Sequence, residues 1–233
     1  MVVRRFEDEA SWVAAALDEF RAAAGDARAE GRSSLSLCLA GGSTPEVVYR
    51  AMAAMPLEGL AVDLWLGDER AVAPDDSARN GMMIGRAFAD CVWTPAPALH
   101  LWPALVPSPA ALARAAAEYE GELARSLGPE PAFDLALLGI GADGHTASLF
   151  PFSPLLNASF PSSTLAAPAR SPVPPFDRLT LTLNALSGAR RIAFLVRGEE
   201  KSDAVARIVR GDPDAPVSRL AGEGRTVLSL IET

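Results

Sequence analysis

The chain has 233 residues, 49% of them hydrophobic, and a formal net charge of −8. That much apolar material excludes disorder as a general description, and the acidic balance excludes a protein that tracks nucleic-acid phosphates. An anionic ligand then needs its cations gathered in one pocket, so the position of each Arg and of the scarce Lys carries information.

Cys38 falls in a predicted strand and Cys91 near a predicted helix end. They read as free thiols, and no metal-ligand spacing is present. The N-terminal residues lack a signal-peptide core, and no apolar run is long enough to span a bilayer. A cytoplasmic protein without a membrane partner is the expectation.

Residues 7–24 predict a helix, with Val13, Ala16, Leu17, Phe20 and Ala24 on one face. Residues 34–40 alternate as a strand and run into Gly41-Gly42-Ser43-Thr44-Pro45. Proline suits the first turn of a following helix, with Ser43 or Thr44 as its N-cap. Val62–Leu66 is the next strand, closed by Gly67-Asp68-Glu69-Arg70. A helix over 77–88 follows, with Asp75 and Asp76 as its caps. Leu99–Trp102 is a short extended piece, and Leu112, Ala116, Tyr119, Leu123 and Leu127 make one stripe of a helix over 109–127. Phe133–Leu138 is almost wholly apolar, the pattern of a central parallel strand. It ends in Gly139-Ile140-Gly141-Ala142-Asp143-Gly144-His145, and Thr146-Ala147-Ser148 reads as the start of a short helix. Residues 150–176 are proline-rich and predict a long irregular loop around one short strand. Strands at Leu179–Leu183 and Arg191–Val196, a helix over 200–210 and a last strand at Thr226–Leu230 complete the chain.

Alternating strands and helices predict an α/β fold: a doubly wound, mostly parallel sheet with helices on both faces, as one domain over residues 1–233. Ligands in such sheets bind at the carboxyl ends of the strands. Three polar motifs sit at three such ends: Gly41–Thr44, Asp68–Arg70 and Asp143–His145.

Each motif has a plain alternative. Gly41, Gly42, Ser43 and Thr44 form either an anion site at a helix N-terminus or a tight turn with a cap. They match neither a GxxxxGK[ST] loop nor a GxGxxG fingerprint. Asp68, Glu69 and Arg70 form either a solvated turn with local ion pairs or an orienting carboxylate beside an arginine clamp. His145 is one of two histidines and lies two residues from an acid in a glycine-rich loop. It is a candidate general base, or else a capping histidine. His100, between two leucines, reads as structural. Arg178 and Lys201 lie at element ends, as surface cations or as pocket charge.

Together the segments LAGGSTPEVVYRAM (39–52), WLGDERAV (65–72), FDLALLGIGADGHTASLFP (133–151), DRLTLT (177–182) and GEEK (198–201) resemble the 6-phosphogluconolactonase family. They span most of the chain in the family's order. The resemblance implies a sugar-isomerase-like, Rossmann-like fold. It also implies hydrolysis of 6-phospho-D-glucono-1,5-lactone to 6-phosphogluconate in the oxidative pentose phosphate pathway, without metal or cofactor. On this reading His145 is the catalytic base, and Asp68 or Asp143 orients the imidazole or a sugar hydroxyl. Gly41, Gly42, Ser43, Thr44, Arg70, Arg178 and Lys201 bind the phosphate and substrate. The oxyanion donor is a loop N–H or Arg70. Ala142 departs from the proline that many members carry there.

The expected partner is a small sugar-phosphate lactone, with no nucleic acid and no membrane, bound by a monomer or weak homodimer. Glucosamine-6-phosphate deaminase/isomerase is the nearest rival. It carries a Glu five residues after its Gly-His, where this chain has Phe150. A sugar-phosphate-sensing domain of a transcription regulator is the other, and it calls for a helix-turn-helix and a basic face.

Overall fold

A computed structural model describes residues 1–128 and 130–231. Pro129, Glu232 and Thr233 of the expected 1–233 span lie outside the described residues. The chain runs β1 (Val2–Phe6), α1 (Glu9–Ala29), β2 (Ser34–Leu39), α2 (Ser43–Ala54), β3 (Ala61–Leu66), β4 (Asp68–Arg70), α3 (Asn80–Ala87), β5 (Ala98–His100), α4 (Pro109–Leu127), β6 (Leu135–Gly139), β7 (Ala166–Arg170), β8 (Asp177–Leu181), α5 (Leu183–Ser187), β9 (Arg191–Arg197), α6 (Ser202–Arg210) and β10 (Arg225–Leu230).

Seven strands form a wholly parallel sheet in the order β1-β10-β9-β6-β2-β3-β5. From β2 the chain winds outward to β3 and β5. It then returns to β6 on the other side of β2 and winds away through β9 and β10. The direction reverses between β2 and β6, and that reversal opens a crevice at their carboxyl ends. Gly41–Thr44 and Gly141–His145 follow these two strands directly. The α/β, doubly wound expectation is therefore met, with helices flanking the sheet.

Packing fixes the strand ends that matter. Leu35, Leu37, Cys38 and Leu39 of β2 are fully buried, as are Leu135, Ala136, Leu137 and Leu138 of β6, so both faces of the central strands are covered. Helix α1 packs along β9 and β10, and Trp12 Nε1 donates to the Leu228 carbonyl at 2.9 Å. The end of β3 is held by aromatic residues: the Tyr119 hydroxyl accepts from Leu66 N at 2.9 Å, and Trp102 Nε1 donates to Leu66 O at 3.0 Å. Trp102 and Tyr119 stack at 3.8 Å. His100 is structural, as expected: its ring lies between Asp63 Oδ1 at 2.9 Å and Glu122 Oε1 at 2.6 Å, stacked on Trp65.

A second sheet, β4-β8-β7, is antiparallel and was not expected. Gly67 joins the two sheets: its N–H donates to Leu39 O in the large one, and its carbonyl accepts from Leu181 N beside the small one. Asp68–Arg70 is thus a strand rather than a turn. Three residues are too few to show a strand period.

Other differences have local causes. β1 has two arginines in five residues and pairs only with β10 at the sheet edge, so it carries no burial pattern. α1 runs past residue 24 because Ala27 is still fully buried. The strand expected at Leu179–Leu183 starts at Asp177 and ends at Leu181, and Thr182 then caps the unexpected α5. Thr146-Ala147-Ser148 begins no helix: Ala147 has φ 49°, and Thr146 bridges back to Leu149.

Candidate active site

The crevice holds a cavity of about 400 Å³. Every site residue proposed from the sequence lines it except Asp143, which stands behind His145 and lines a neighbouring cavity.

At the end of β2, Gly42 is the N-cap of α2, with φ 103° and no side-chain cap. Ser43 and Thr44 are the first helical residues, so the cap expected at one of them falls on glycine. A left-handed backbone is readily adopted only by glycine. Helix α2 therefore begins at the cavity with its first N–H groups uncapped by any side chain, the arrangement that suits an anion.

At the end of β6 the chain folds back on itself. Gly141 N donates to His145 O at 2.8 Å and Gly144 N to Gly141 O at 2.9 Å, with Gly144 at φ 85°. Asp143 Oδ1 accepts from the His145 main-chain N at 3.1 Å and lies 2.6 Å from its Nδ1. An ionised carboxylate only accepts, so this pairing assigns the proton to Nδ1 and leaves Nε2 as the basic nitrogen. Burial pushes the Asp143 carboxyl up, but the ring hydrogen bond, the His145 charge and the His145 N–H together hold it below its ordinary value. The loop is pinned from behind by Arg207, whose Nη1 donates to Asp143 O at 3.0 Å. Gly141 cannot carry a side chain, because a Cβ there would fall 2.0 Å from His145 Nδ1. Phe150 packs against the imidazole with ring centroids 4.6 Å apart.

The sequence left open which carboxylate meets His145, and here it is Asp143. Asp68 instead accepts from Ser148 Oγ at 2.6 Å and lies 3.2 Å from Asn80 Nδ2. Neither acid of the Asp68-Glu69 pair is solvated: Asp68 is 8% exposed and Glu69 0%. Glu69 caps α3, accepting from Asn80 N at 2.7 Å and Gly81 N at 2.9 Å, and also from Arg70 N at 2.8 Å. That role was expected of Asp75 and Asp76. Burial raises the Glu69 carboxyl above its ordinary value against these three N–H donors and the Arg79 charge.

Arg70 and Arg178 bring the cations. Arg70 Nη1 donates to Ala78 O at 2.6 Å, while its Nε is buried without a partner. Arg178 Nε donates to Pro175 O at 2.9 Å. Lys201, the only lysine of the chain, closes a short turn after β9 and also lines the cavity. Among the described residues no three His, Cys, Asp or Glu side chains converge on a point that could hold a metal.

Asn80 and Ser148 were missed by the sequence reading. Ser148 lies within the Gly-His-Thr-x-Ser run that carried the resemblance. Asn80 has no local signal, since it reaches the site only because Glu69 draws the start of α3 toward β4.

An uncapped helix start, two arginines, a lysine and an acid-backed imidazole thus meet around one crevice of a doubly wound scaffold, an arrangement that suits an anionic ligand. The model of the glucosamine-6-phosphate isomerase/6-phosphogluconolactonase family matches residues 7–228, and the chain belongs to that family. It is 36% identical to the 6-phosphogluconolactonase of Mycobacterium tuberculosis over 231 residues, covering 94% of this chain and 90% of that one. It is 36% identical to the enzyme of that name from Streptomyces coelicolor over 217 residues, covering 88% and 82%. The crystal structure of 6-phosphogluconolactonase from Thermotoga maritima superposes with a TM-score of 0.79 at 28% identity, covering 100% of this chain and 99% of that one.

Proposed function

We propose that the chain hydrolyses 6-phospho-D-glucono-1,5-lactone to 6-phospho-D-gluconate, as a cytoplasmic step of the oxidative pentose phosphate pathway, working as a monomer or weak homodimer. The observation that carries this reading is the Asp143–His145 pair at 2.6 Å beside a cavity lined by Arg70, Arg178 and Lys201.

An activated lactone needs a base, a placed water and a stabilised oxyanion. Asp143 holds the Nδ1–H of His145, so Nε2 takes a proton from the water that attacks C1. As the C1–ring oxygen bond breaks, the imidazolium returns that proton to the leaving oxygen. Loop N–H groups or Arg70 donate to the oxyanion. The two arginines, Lys201 and the α2 N-terminus hold the phosphate, and binding energy at that end places C1 near the base.

The relay acid of a glucosamine-6-phosphate deaminase has no counterpart here. The residue at that position is Phe150, which packs on the imidazole and cannot pass a proton. The test is lactone hydrolysis coupled to 6-phosphogluconate dehydrogenase, corrected for spontaneous opening, with and without chelator. Hydrolysis that persists with chelator is expected. Ammonia release from glucosamine 6-phosphate at a comparable rate would reverse the assignment.

A further inference from the structure

Asn80 sits where three parts of the site meet. Its Nδ2 donates to the Asp68 main-chain O at 2.9 Å and lies 3.2 Å from Asp68 Oδ1. Directing both amide protons at Asp68 turns the side-chain carbonyl the other way, toward Gly41. A Cβ on Gly41 would fall 1.9 Å from Asn80 Oδ1 and 2.1 Å from its Cγ. The amide therefore fills the volume that any side chain at position 41 would need. Asn80 is 2% exposed, its Oδ1 is buried without a hydrogen-bond partner, and its backbone N is fixed by Glu69 Oε1 at 2.7 Å. A buried acceptor left unpaired in a native structure calls for a reason.

We propose that Asn80 is a positioning residue whose single amide locks the Asp68 carboxylate against the Gly41–Thr44 loop, holding the two in register. The proposal rests on the lactonase reading and adds to it how two ends of the site are kept together. The Asp68 carboxylate is gripped on both oxygens, by Asn80 at Oδ1 and by Ser148 at Oδ2. Its plane is fixed, and its remaining lone pairs are available to a hydroxyl of the sugar in the cavity it lines. Gly41 is the other half of the device, since only a residue without a side chain leaves room for the amide.

A purely structural asparagine at the start of a helix makes different predictions. Asn80→Ala is expected to lower kcat/KM for the lactone about 10- to 100-fold, the scale of a lost hydrogen bond to a charged group, with a melting temperature close to wild type. Gly41→Ala displaces the amide and is expected to cost as much. In the Asn80→Ala background the space is free, so the double variant loses no more than either single one. Asn80→Asp keeps the shape but sets a carboxylate against Asp68. It is expected to be at least as impaired as Asn80→Ala, and its activity relative to wild type rises as pH falls, because a protonated carboxyl donates to Asp68 again.

Wild-type activity in Asn80→Ala, or additive losses in the Gly41/Asn80 cycle, would overturn the proposal. Should Asn80→Ala fail to fold, the pH-dependent ratio of Asn80→Asp to wild type decides, and a flat ratio overturns it. Wild-type protein that does not open the lactone defeats the lactonase reading alone. The same cycle is then read from calorimetric binding of 6-phosphogluconate.

Discussion

Arg70 and Arg178 stand directly opposite each other in the antiparallel pairing of β4 with β8, so two guanidinium stems leave the same face of the small sheet. Burial and then the Arg70 charge push the Arg178 guanidinium down from its ordinary value, while Asp68 and Glu69 push it back up. Like charges placed opposite each other on a sheet are destabilising, and on the proposed assignment the substrate phosphate relieves that repulsion. Arg70→Ala and Arg178→Ala are each expected to raise KM, by about 1.5–3 kcal/mol per lost charge-assisted contact, with a smaller change in kcat. Steady-state kinetics check this. Unchanged Michaelis constants in both variants would remove these residues from the phosphate site.

His145→Asn keeps the polarity of the side chain and removes the proposed base. Its kcat is expected to fall by about 10²- to 10⁴-fold, while 6-phosphogluconate still binds. Gly141→Ala is expected to imitate it, because the added Cβ collides with Nδ1. Near-wild-type turnover in a folded His145→Asn protein would assign the base elsewhere.

Asp143 carries a pH signature. Its carboxyl is held below the ordinary value, so the stability it contributes is complete above about pH 3.9, the unfolded carboxylate value. That contribution is lost as pH falls through the lower folded value. Asp143→Asn is expected to flatten the acid limb of a stability–pH curve measured by chemical denaturation, and to lower kcat by loosening the imidazole.

Because Lys201 is the only lysine, amine-directed chemistry reports on the site with little background. Reductive methylation followed by mass spectrometry is expected to modify Lys201 and the N-terminal amine alone. Saturating 6-phosphogluconate is expected to protect Lys201 and not the terminus. Equal labelling with and without ligand would place Lys201 outside the bound complex.

Glu69 tests the scaffold rather than the chemistry. Glu69→Ala strands three N–H donors, those of Asn80 and Gly81 in buried hydrogen bonds, and the Arg79 charge, whose Nε lies 3.7 Å from the carboxylate. A loss of about 3–5 kcal/mol is expected from breaking a buried pair, seen as a lower denaturation midpoint.

Much of the scaffold was legible because its central strands are long and buried on both faces, and because Gly-rich turns mark where they stop. His145, the glycine loop and Arg70 could be picked out as strand-end residues, and Arg178 and Lys201 as cations at element ends. What stayed hidden depends on contacts remote in sequence. Asp68, Glu69 and Arg70 look like any charged turn until β8 pairs with them. Asn80 carries no mark of its own, and the choice between Asp68 and Asp143 turns on a loop geometry set by Gly141 and Gly144. The Gly42 cap was misplaced because Ser and Thr are the usual caps, whereas this turn demands a positive φ.

The chain steps from one sheet to the other at Gly67, hydrogen-bonded on both sides. His145 hangs from the large sheet and the arginine pair from the small one. On the proposed assignment, the seam therefore sets how far the two arginines stand from the imidazole, whereas Lys201 and the α2 N-terminus are placed relative to His145 by the large sheet alone.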